Sequence, residues 1–251
     1  MIGAVALRSE PSFSERGFDL LERIDYRRAD SEEEKEAIYR LRYEAYLRED
    51  AIQPNSLKEL SDRYDDMPNA FTFGLYLDNK LASSIRICVA SREHPLTPAM
   101  SVFSDALMPE VESGKTIVDP NRFVTAPEST RIFPELPYLA VRLGFVACEY
   151  FCADIGAATP RLEHEAFYKR VFRMERTSPP RIFPTLTKAH SLMSIHYPSV
   201  RERILGRYPF FRSTFFERRM MFERYRALLQ PANDQVPIGR VAAGEGVGLL
   251  S

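Results

Sequence analysis

The sequence predicts one mixed α/β domain with α+β character, built on a mixed sheet. Helical and strand-like segments follow one another along the chain, and two adjacent strands form a hairpin before any crossover helix occurs. That order argues against a doubly wound fold, in which helices connect parallel strands. The length of 251 residues allows one large domain or two small ones. With 45% hydrophobic and 27% charged residues, the composition excludes a disordered, collagen-like or coiled-coil chain.

The chain divides into three predicted parts. Residues 1–30 have no clear hydrophobic period and are expected to form a partly ordered N-terminal arm. Residues 31–229 are expected to form the folded domain, which includes a basic helical extension at 199–229. Residues 230–251 are rich in glycine, alanine and proline and are expected to form a flexible tail.

The first helix has a clear start signal. Ser31 and Glu34 form the two ends of a capping box, in which the serine accepts a backbone N–H and the glutamate reaches back. Ile38, Leu41 and Ala45 then recur at helical spacing. These residues predict a helix from Ser31 to about residue 47, followed by a polar loop.

A β-hairpin is predicted next. Apolar residues alternate with small or polar residues over 71–77 and 81–90, and the intervening Asp78-Asn79 has good turn chemistry. Residues 91–114 contain prolines and are expected to form a long connection.

A third strand, at 116–125, contains Pro120, which marks an edge or a bulge. A bulge there would bring Asp119 and Arg122, three residues apart, to one side of the strand. The elements expected after it are a buried helix at 137–153, a strand at 154–159, a helix at 163–174, two short extended pieces within 175–198, and helices at 199–206 and 213–229.

Charged residues lie within or beside these apolar elements. Buried charges are rare in proteins unless they are paired. The charged residues in these elements could form a structural ion-pair network, or they could bind a charged substrate. These residues are Arg42, Asp62, Asp65, Arg86, Asp119 and Arg122.

The order of these residues resembles a known enzyme family. The chain has Arg42-x-x-x-Tyr46, Asp62-x-x-Asp65, Arg86 in a strand, Phe103 and Asp119-x-x-Arg122-Phe123. This order resembles the acyl-homoserine-lactone (autoinducer) synthases, and more closely the long-chain N-acyl amino acid synthases. The resemblance covers about residues 30–175 and implies a GNAT-like acyltransferase fold with a helical C-terminal extension.

The resemblance implies an N-acyltransferase that moves a long-chain acyl group from a thioester to the amine of an amino acid or similar small acceptor. In this reading Asp119 is the base, and backbone N–H groups near Phe123 and Val124 stabilise the oxyanion. Tyr168 is a possible general acid. The residues expected to bind substrate are Arg42, Tyr46, Asp62, Asp65, Arg86, Phe103 and Arg122.

Departures from the family pattern narrow the chemistry. The lactone synthases have a tryptophan after the first helix, where this chain has Ile52, and a glutamate where it has Asp119. Both count against lactone synthesis from S-adenosylmethionine. Residues 126–129 lack the glycines of an acetyl-CoA pyrophosphate loop. Acyl carrier protein is therefore the expected acyl donor, with acyl-CoA as the alternative.

The charge distribution fits an acidic partner. Residues 161–226 contain 15 lysine and arginine residues against 6 acidic residues. This segment is expected to bind acyl carrier protein, which is acidic. Two alternatives remain: a lactone synthase that uses S-adenosylmethionine, and a non-catalytic GNAT-like module that binds a partner through the basic segment. Nucleic acid is not expected to be that partner.

Other expectations concern cofactors and location. The chain has no phosphate-binding glycine motif, and His164-Glu165 lacks the second histidine of a zinc motif, so neither a permanently bound cofactor nor a metal is expected. His190 and His196 are interpreted as packing residues. No apolar run is long enough to span a bilayer, and the three cysteines suit a reducing cytoplasm.

Overall fold

A seven-stranded mixed sheet with helices on both sides forms the centre of the molecule. The structure is a computed structural model and describes residues 10–223. Two short 3₁₀ turns lie at Leu162–His164 and Pro209–Phe211. The helices and strands are α1 (Phe13–Arg23), β1 (Ile24–Arg28), α2 (Glu32–Arg48), β2 (Ala70–Leu77), β3 (Lys80–Ala90), α3 (Met100–Glu112), β4 (Ile117–Thr125), α4 (Pro127–Ile132), α5 (Leu136–Tyr150), β5 (Ile155–Ala158), α6 (Glu165–Phe172), β6 (Glu175–Ile182), β7 (Ala189–His196), α7 (Tyr197–Arg207) and α8 (Phe215–Phe222).

The strand order is β1-β2-β3-β4-β5-β7-β6, which confirms the predicted mixed sheet. Every neighbouring pair is antiparallel except β4 and β5, which run parallel. That parallel pair is short, because only Ile117 with Ile155 and Val118 with Gly156 are in register. Beyond Val118 and Gly156 the two strands are no longer paired, so the sheet opens between them.

The N-terminal region differs from the expected arm. Within residues 1–30, α1 begins with a capping box formed by Ser12 and Glu15, and β1 pairs antiparallel with β2 along the edge of the sheet. Leu20 and Ile24 are buried in the main core. The prediction of an arm is therefore wrong for residues 13–28, because these short elements depend on packing against the sheet.

The first predicted helix and hairpin are confirmed. Ser31 and Glu34 form the expected capping box at the start of α2. β2 and β3 pair antiparallel, and both turn residues between them have positive φ, 50° for Asp78 and 62° for Asn79. Positive φ at both positions is the signature of a type I′ turn, which matches the twist of the flanking strands.

Helix α3 replaces part of the connection expected at 91–114. It contains Pro109, it is kinked at Phe103 (φ −120°, ψ 33°), and its N-cap residue Ala99 makes no side-chain cap hydrogen bond. The cap comes from β4 instead, because the Asp119 carboxylate accepts the Ala99 N–H at 3.2 Å. A cap supplied by a residue distant in sequence gives no local signal.

Helix α5 is buried along most of its length, as predicted, and packs against β3 and β4. The C-terminal helices α7 and α8 cover the same side, where Phe210, Phe211 and Phe222 join the main core. Residues 224–229 of the last predicted helix and the predicted tail at 230–251 lie outside the described residues. In the described part of the chain, no helix is long and apolar enough to cross a membrane.

Candidate active site

A cavity of about 500 Å³ lies beside the opening between β4 and β5. Its volume falls in the usual range for small-molecule sites, roughly 300–1,000 Å³. Residues from α2, β3, β4, α6 and the segment 183–190 surround it. The apolar part of its wall consists of Ala45, Tyr46, Ala51, Tyr64, Pro98, Pro120, Phe123, Val124, Pro160, Tyr168, Phe183, Pro184 and Leu186.

Strand β4 has a bulge at the cavity. Its register with β3 shifts between Ser84 and Arg86, which leaves Arg122 and Phe123 opposite a single residue of β3. Arg122 has a φ of 52°, in the left-handed region. The sequence analysis placed the bulge at Pro120. In the structure it lies two residues further along the strand, at Arg122. A bulge leaves one residue out of the ladder and redirects its side chain, and here Arg122 lines the cavity.

An ion-pair network forms the polar floor of the cavity. Arg86 binds Asp62 through two hydrogen bonds, of 2.7 Å to Oδ1 and 3.1 Å to Oδ2. Arg122 binds Asp62 Oδ2 at 2.7 Å through Nη2. Burial acts to raise the pKa of Asp62, but the hydrogen bonds and charges of Arg86 and Arg122 outweigh it and hold that pKa well below its ordinary value.

A second layer of the network lies behind the first. Arg42 Nη1 lies 2.8 Å from Asp65 Oδ1, and Arg86 Nη1 lies 2.9 Å from the same oxygen. The Arg42 and Arg86 side chains are both fully buried. Burial acts to raise the pKa of Asp65, but the charges of Arg42 and Arg86 lower it. Both carboxylates are therefore ionised at neutral pH.

The network has more positive than negative charge. Within residues 10–223, Arg42, Arg86 and Arg122 pair with only two ionised carboxylates, those of Asp62 and Asp65. Among the described residues, Arg122 Nη1 and Arg42 Nε and Nη2 are buried without a hydrogen-bond partner. A buried positive charge with unsatisfied donors is costly, and an anionic ligand would reduce that cost.

The predicted base, Asp119, lies outside the cavity. Its side chain is buried, it caps α3 at Ala99, and it is not among the residues that line the cavity. Burial raises the pKa of Asp119 above its ordinary value. The geometry therefore favours a structural role over direct contact with substrate, although Asp119 is adjacent in sequence to the cavity residue Pro120.

The other predicted site residues divide into three groups. Phe103 is fully buried at the kink of α3, where its ring packs against Phe183, and it does not reach the cavity. Arg42 and Asp65 do not line the cavity and act through Arg86. The predicted site residues that line the cavity are Tyr46, Asp62, Arg86, Arg122, Phe123, Val124 and Tyr168.

A smaller apolar cavity, of about 30 Å³, adjoins the first. The two share Pro120, Phe123 and Tyr168 as wall residues. The small cavity lies between the sheet and α5, at the opening between β4 and β5, where Gly144 and Gly156 form part of its wall. An apolar path therefore continues from the bulge into the core.

Sequence reasoning missed the histidines of this site. His164 and His190 both line the cavity, and His190 is buried. Segment 183–188, which leads into β7, reaches the cavity wall with Phe183 and Leu186. That contact is set by tertiary packing, so nothing in the local sequence distinguished His190 from a packing residue.

About half of the basic segment is paired internally. Lys169 and Arg176 bind Glu165, and Arg181 binds Asp105. Five exposed arginines of this segment have no acidic partner among the described residues, and three of them, Arg170, Arg173 and Arg207, we call the arginine cluster. They lie together around Tyr208, and Arg207 Nη1 contacts the Arg170 carbonyl at 3.4 Å.

Comparison with known proteins identifies the family. Residues 37–196 match the family described as N-acyl amino acid synthase FeeM. The chain belongs to this family. It is accordingly an N-acyltransferase, as the sequence analysis expected. A comparison with curated proteins gave no match.

Solved structures of similar proteins confirm the fold of this FeeM family member. The structure of FeeM, an N-acyl amino acid synthase from uncultured soil microbes, has a TM-score of 0.60 at 17% identity, over 75% of this chain and 98% of that chain. The structure of TofI in a ternary complex with an inhibitor and MTA has a TM-score of 0.51 at 14% identity, over 74% of this chain and 96% of that chain.

Among residues 10–223, no group of three or more His, Cys, Asp or Glu side chains could hold a metal ion.

Proposed function

We propose that this enzyme transfers a long-chain fatty acyl group from acyl carrier protein to the amine of an amino acid and releases an N-acyl amino acid. One observation carries the proposal. The bulge in β4 places Arg122, with a buried unpaired Nη1, beside an apolar path into the core. An acceptor with a carboxylate and a donor with an apolar chain fit the two sides of this strand.

The acceptor carboxylate binds Arg122. The network that includes Arg122 has an excess of one positive charge, which a carboxylate would neutralise. Asp62 holds Arg122 through Nε and Nη2, so the free Nη1 has a fixed position for the ligand. Arg42 and Asp65 hold Arg86 in turn, and through it Asp62.

The thioester carbonyl binds at the bulge. A bulged residue is left out of the strand ladder, and backbone N–H groups freed in this way can stabilise an oxyanion. The residues at this place are Phe123 and Val124, whose side chains also line the cavity. The amine attacks the thioester directly, so the reaction needs no enzyme nucleophile.

The acyl chain follows the apolar path between β4 and β5. Phe123 and Tyr168 belong to the walls of both cavities, so they lie where the chain would pass from one to the other. The inner cavity is small, at about 30 Å³, so a long chain requires its walls to move apart.

Acyl carrier protein docks on the arginine cluster. Arg170, Arg173 and Arg207 are exposed and lack acidic partners among the described residues, so they can bind the acidic surface of a carrier protein. Arg170 and Tyr168 belong to the same helix, α6, which connects the cluster to the cavity.

The test is to incubate the purified enzyme with long-chain acyl carrier protein and a panel of amino acids, and to look for amide products by mass spectrometry. We expect an N-acyl amino acid product, and lower activity with an acceptor that lacks a carboxylate. The matched acceptor is the corresponding amino acid amide, because it keeps the amine and the side chain.

Two results would redirect the proposal. Product with S-adenosylmethionine but with no amino acid would favour a lactone synthase. Product formed equally well from acyl-CoA and from acyl carrier protein would remove the role of the arginine cluster. Failure to form an amide with any donor and acceptor would contradict the proposed reaction.

A further inference from the structure

A buried histidine in the cavity has one ring nitrogen with a fixed role. His190 Nδ1 lies 2.9 Å from the Lys188 carbonyl oxygen. A carbonyl oxygen can only accept a hydrogen bond, so Nδ1 must carry the proton. In the neutral ring the other nitrogen, Nε2, then has a free lone pair. Within residues 10–223, Nε2 makes no hydrogen bond.

The position of His190 is fixed from two sides. The Phe183 ring packs edge-on against it, with 5.3 Å between the ring centroids. His190 also forms an antiparallel β-bridge with Arg161, near the start of β7. A side chain that is buried, packed and hydrogen-bonded at one end is pre-organised to act at the other.

The surroundings keep His190 neutral. Burial lowers the pKa of His190 below its ordinary value, and the positive charges of Arg161 and Arg122 lower it further. The hydrogen bond to Lys188 and the charge of Glu163 act in the opposite direction but do not outweigh them. The ring therefore has an available lone pair at neutral pH.

We propose that His190 is the proton acceptor of the acyl transfer, with Nε2 taking the proton from the attacking amine. The inference rests on the proposed function. His190 lines the same cavity as the bulge at Arg122 and Phe123, so the base, the carboxylate ligand and the oxyanion site face one space. Nothing in the sequence analysis assigned a role in the reaction to this residue.

Other candidates in or beside the cavity are less suited to this role. Asp119 is buried outside it. Burial raises the pKa of the Tyr168 hydroxyl, which makes it a poor proton donor and keeps it protonated. His164 lines the cavity, but its Nε2 lies 3.3 Å from the Arg161 guanidinium and so already accepts a hydrogen bond.

The reaction balances with His190 as the only proton carrier. The neutral amine forms the C–N bond while the carbonyl π electrons move to oxygen, and the proton on nitrogen passes to Nε2. The oxyanion then re-forms the carbonyl, the C–S bond breaks with its electron pair on sulfur, and the imidazolium returns the proton to the thiolate. An amide and a thiol result from an amine and a thioester.

The experiment compares His190→Asn and His190→Ala with wild type in amide formation at saturating acceptor. Asparagine can still donate to the Lys188 carbonyl, so that variant keeps the local fold and loses only the base. We expect a fall in kcat of about 100-fold or more for both variants. Added imidazole should restore activity to His190→Ala, with a rate that follows the neutral form of imidazole. His196→Asn is the matched control, because His196 is exposed and lies outside the cavity.

A second readout does not depend on activity. Nitrogen-15 NMR of the histidine rings in the free enzyme should show His190 protonated at Nδ1, with a pKa below the ordinary value of histidine. A ring protonated at Nε2 and bare at Nδ1 would overturn the assignment.

The outcomes separate the two proposals. If wild type forms the amide and both His190 variants keep kcat within about three-fold, the role of His190 is wrong and the proposed function stands. Loss of activity without imidazole rescue would make His190 a structural residue. If wild type forms no amide, the proposed function fails and the role of His190 fails with it.

Discussion

Arg86 and Asp62 form a bidentate ion pair in which the arginine side chain is fully buried, with 2.7 Å between Nη1 and Oδ1 and 3.1 Å between Nη2 and Oδ2. The same carboxylate also binds Arg122, which reaches the cavity from the bulge of β4. Asp62 therefore connects the buried network to the proposed acceptor site, and its loss should affect both stability and binding.

Replacing Asp62 with alanine should destabilise the fold. The change leaves Arg86 buried without its bidentate partner, and breaking a buried pair in this way typically costs about 3–5 kcal/mol. Because Arg122 also loses its anchor, KM for the acceptor should rise. Urea unfolding and acceptor titration measure the two effects. Glu36→Ala is the control, since Glu36 forms an exposed pair with Arg40 and should change stability by less than about 1 kcal/mol. Equal losses for both variants would contradict this account of the network.

Replacing Asp119 with asparagine should have little effect on catalysis. Asparagine keeps an oxygen that can accept a hydrogen bond from the Ala99 N–H. The change removes only the negative charge of the carboxylate, which burial already disfavours by raising the pKa of Asp119. We expect kcat within a few-fold of wild type and a melting temperature that is unchanged or higher. A fall in kcat of about 100-fold with the fold intact would restore Asp119 as the base.

Replacing Gly156 with alanine should shorten the preferred acyl chain. A Cβ at this position would lie 3.3 Å from Ile195 Cγ1 and 3.8 Å from Cys148 Sγ, so it would narrow the inner cavity. Competition between donors of different chain length measures the shift. Gly206→Ala is the matched control, because a Cβ there has no atom within 4 Å. An unchanged chain preference in Gly156→Ala would show that the acyl chain takes another path.

Reversing a charge in the arginine cluster should weaken carrier protein docking. Arg170→Glu and Arg207→Glu should each raise KM for acyl carrier protein, and the effect should shrink at high salt because these residues are exposed. Neither change should alter the reaction with a short acyl-pantetheine donor, which has no protein surface. Lys80→Glu, at the hairpin turn, controls for net charge. A similar effect from Lys80→Glu would indicate long-range attraction without a docking surface.

Local patterns predicted much of the sheet and several helices. Capping at Ser31, alternation in the hairpin and the turn at Asp78-Asn79 each involve residues close in sequence, and all three are confirmed. Helix α3 was missed because its cap, Asp119, lies on another strand. Segment 13–28 was missed although Ser12 and Glu15 form a capping box at the start of α1, because its short elements are stabilised mainly by contact with the sheet.

The ion-pair network of the candidate site could be predicted in part from the sequence. Charged residues inside apolar elements had to be paired, and the pairs that Asp62 and Asp65 form with the arginines agree with that argument. Asp119 pairs with Cys88 and Arg122 binds Asp62, so both lie on the face of the sheet that carries Arg86, as a bulge was expected to arrange. The start of α3 covers Asp119 and keeps it out of the cavity, and no signal in the sequence indicated that contact.

The most direct test is an experimental structure of the enzyme with an N-acyl amino acid product bound. We predict that the product carboxylate lies within hydrogen-bond distance of Arg122 Nη1, and that the acyl chain passes Phe123 towards Gly156 between β4 and β5. A carboxylate bound elsewhere in the cavity, or an acyl chain outside the opening between these strands, would contradict the account.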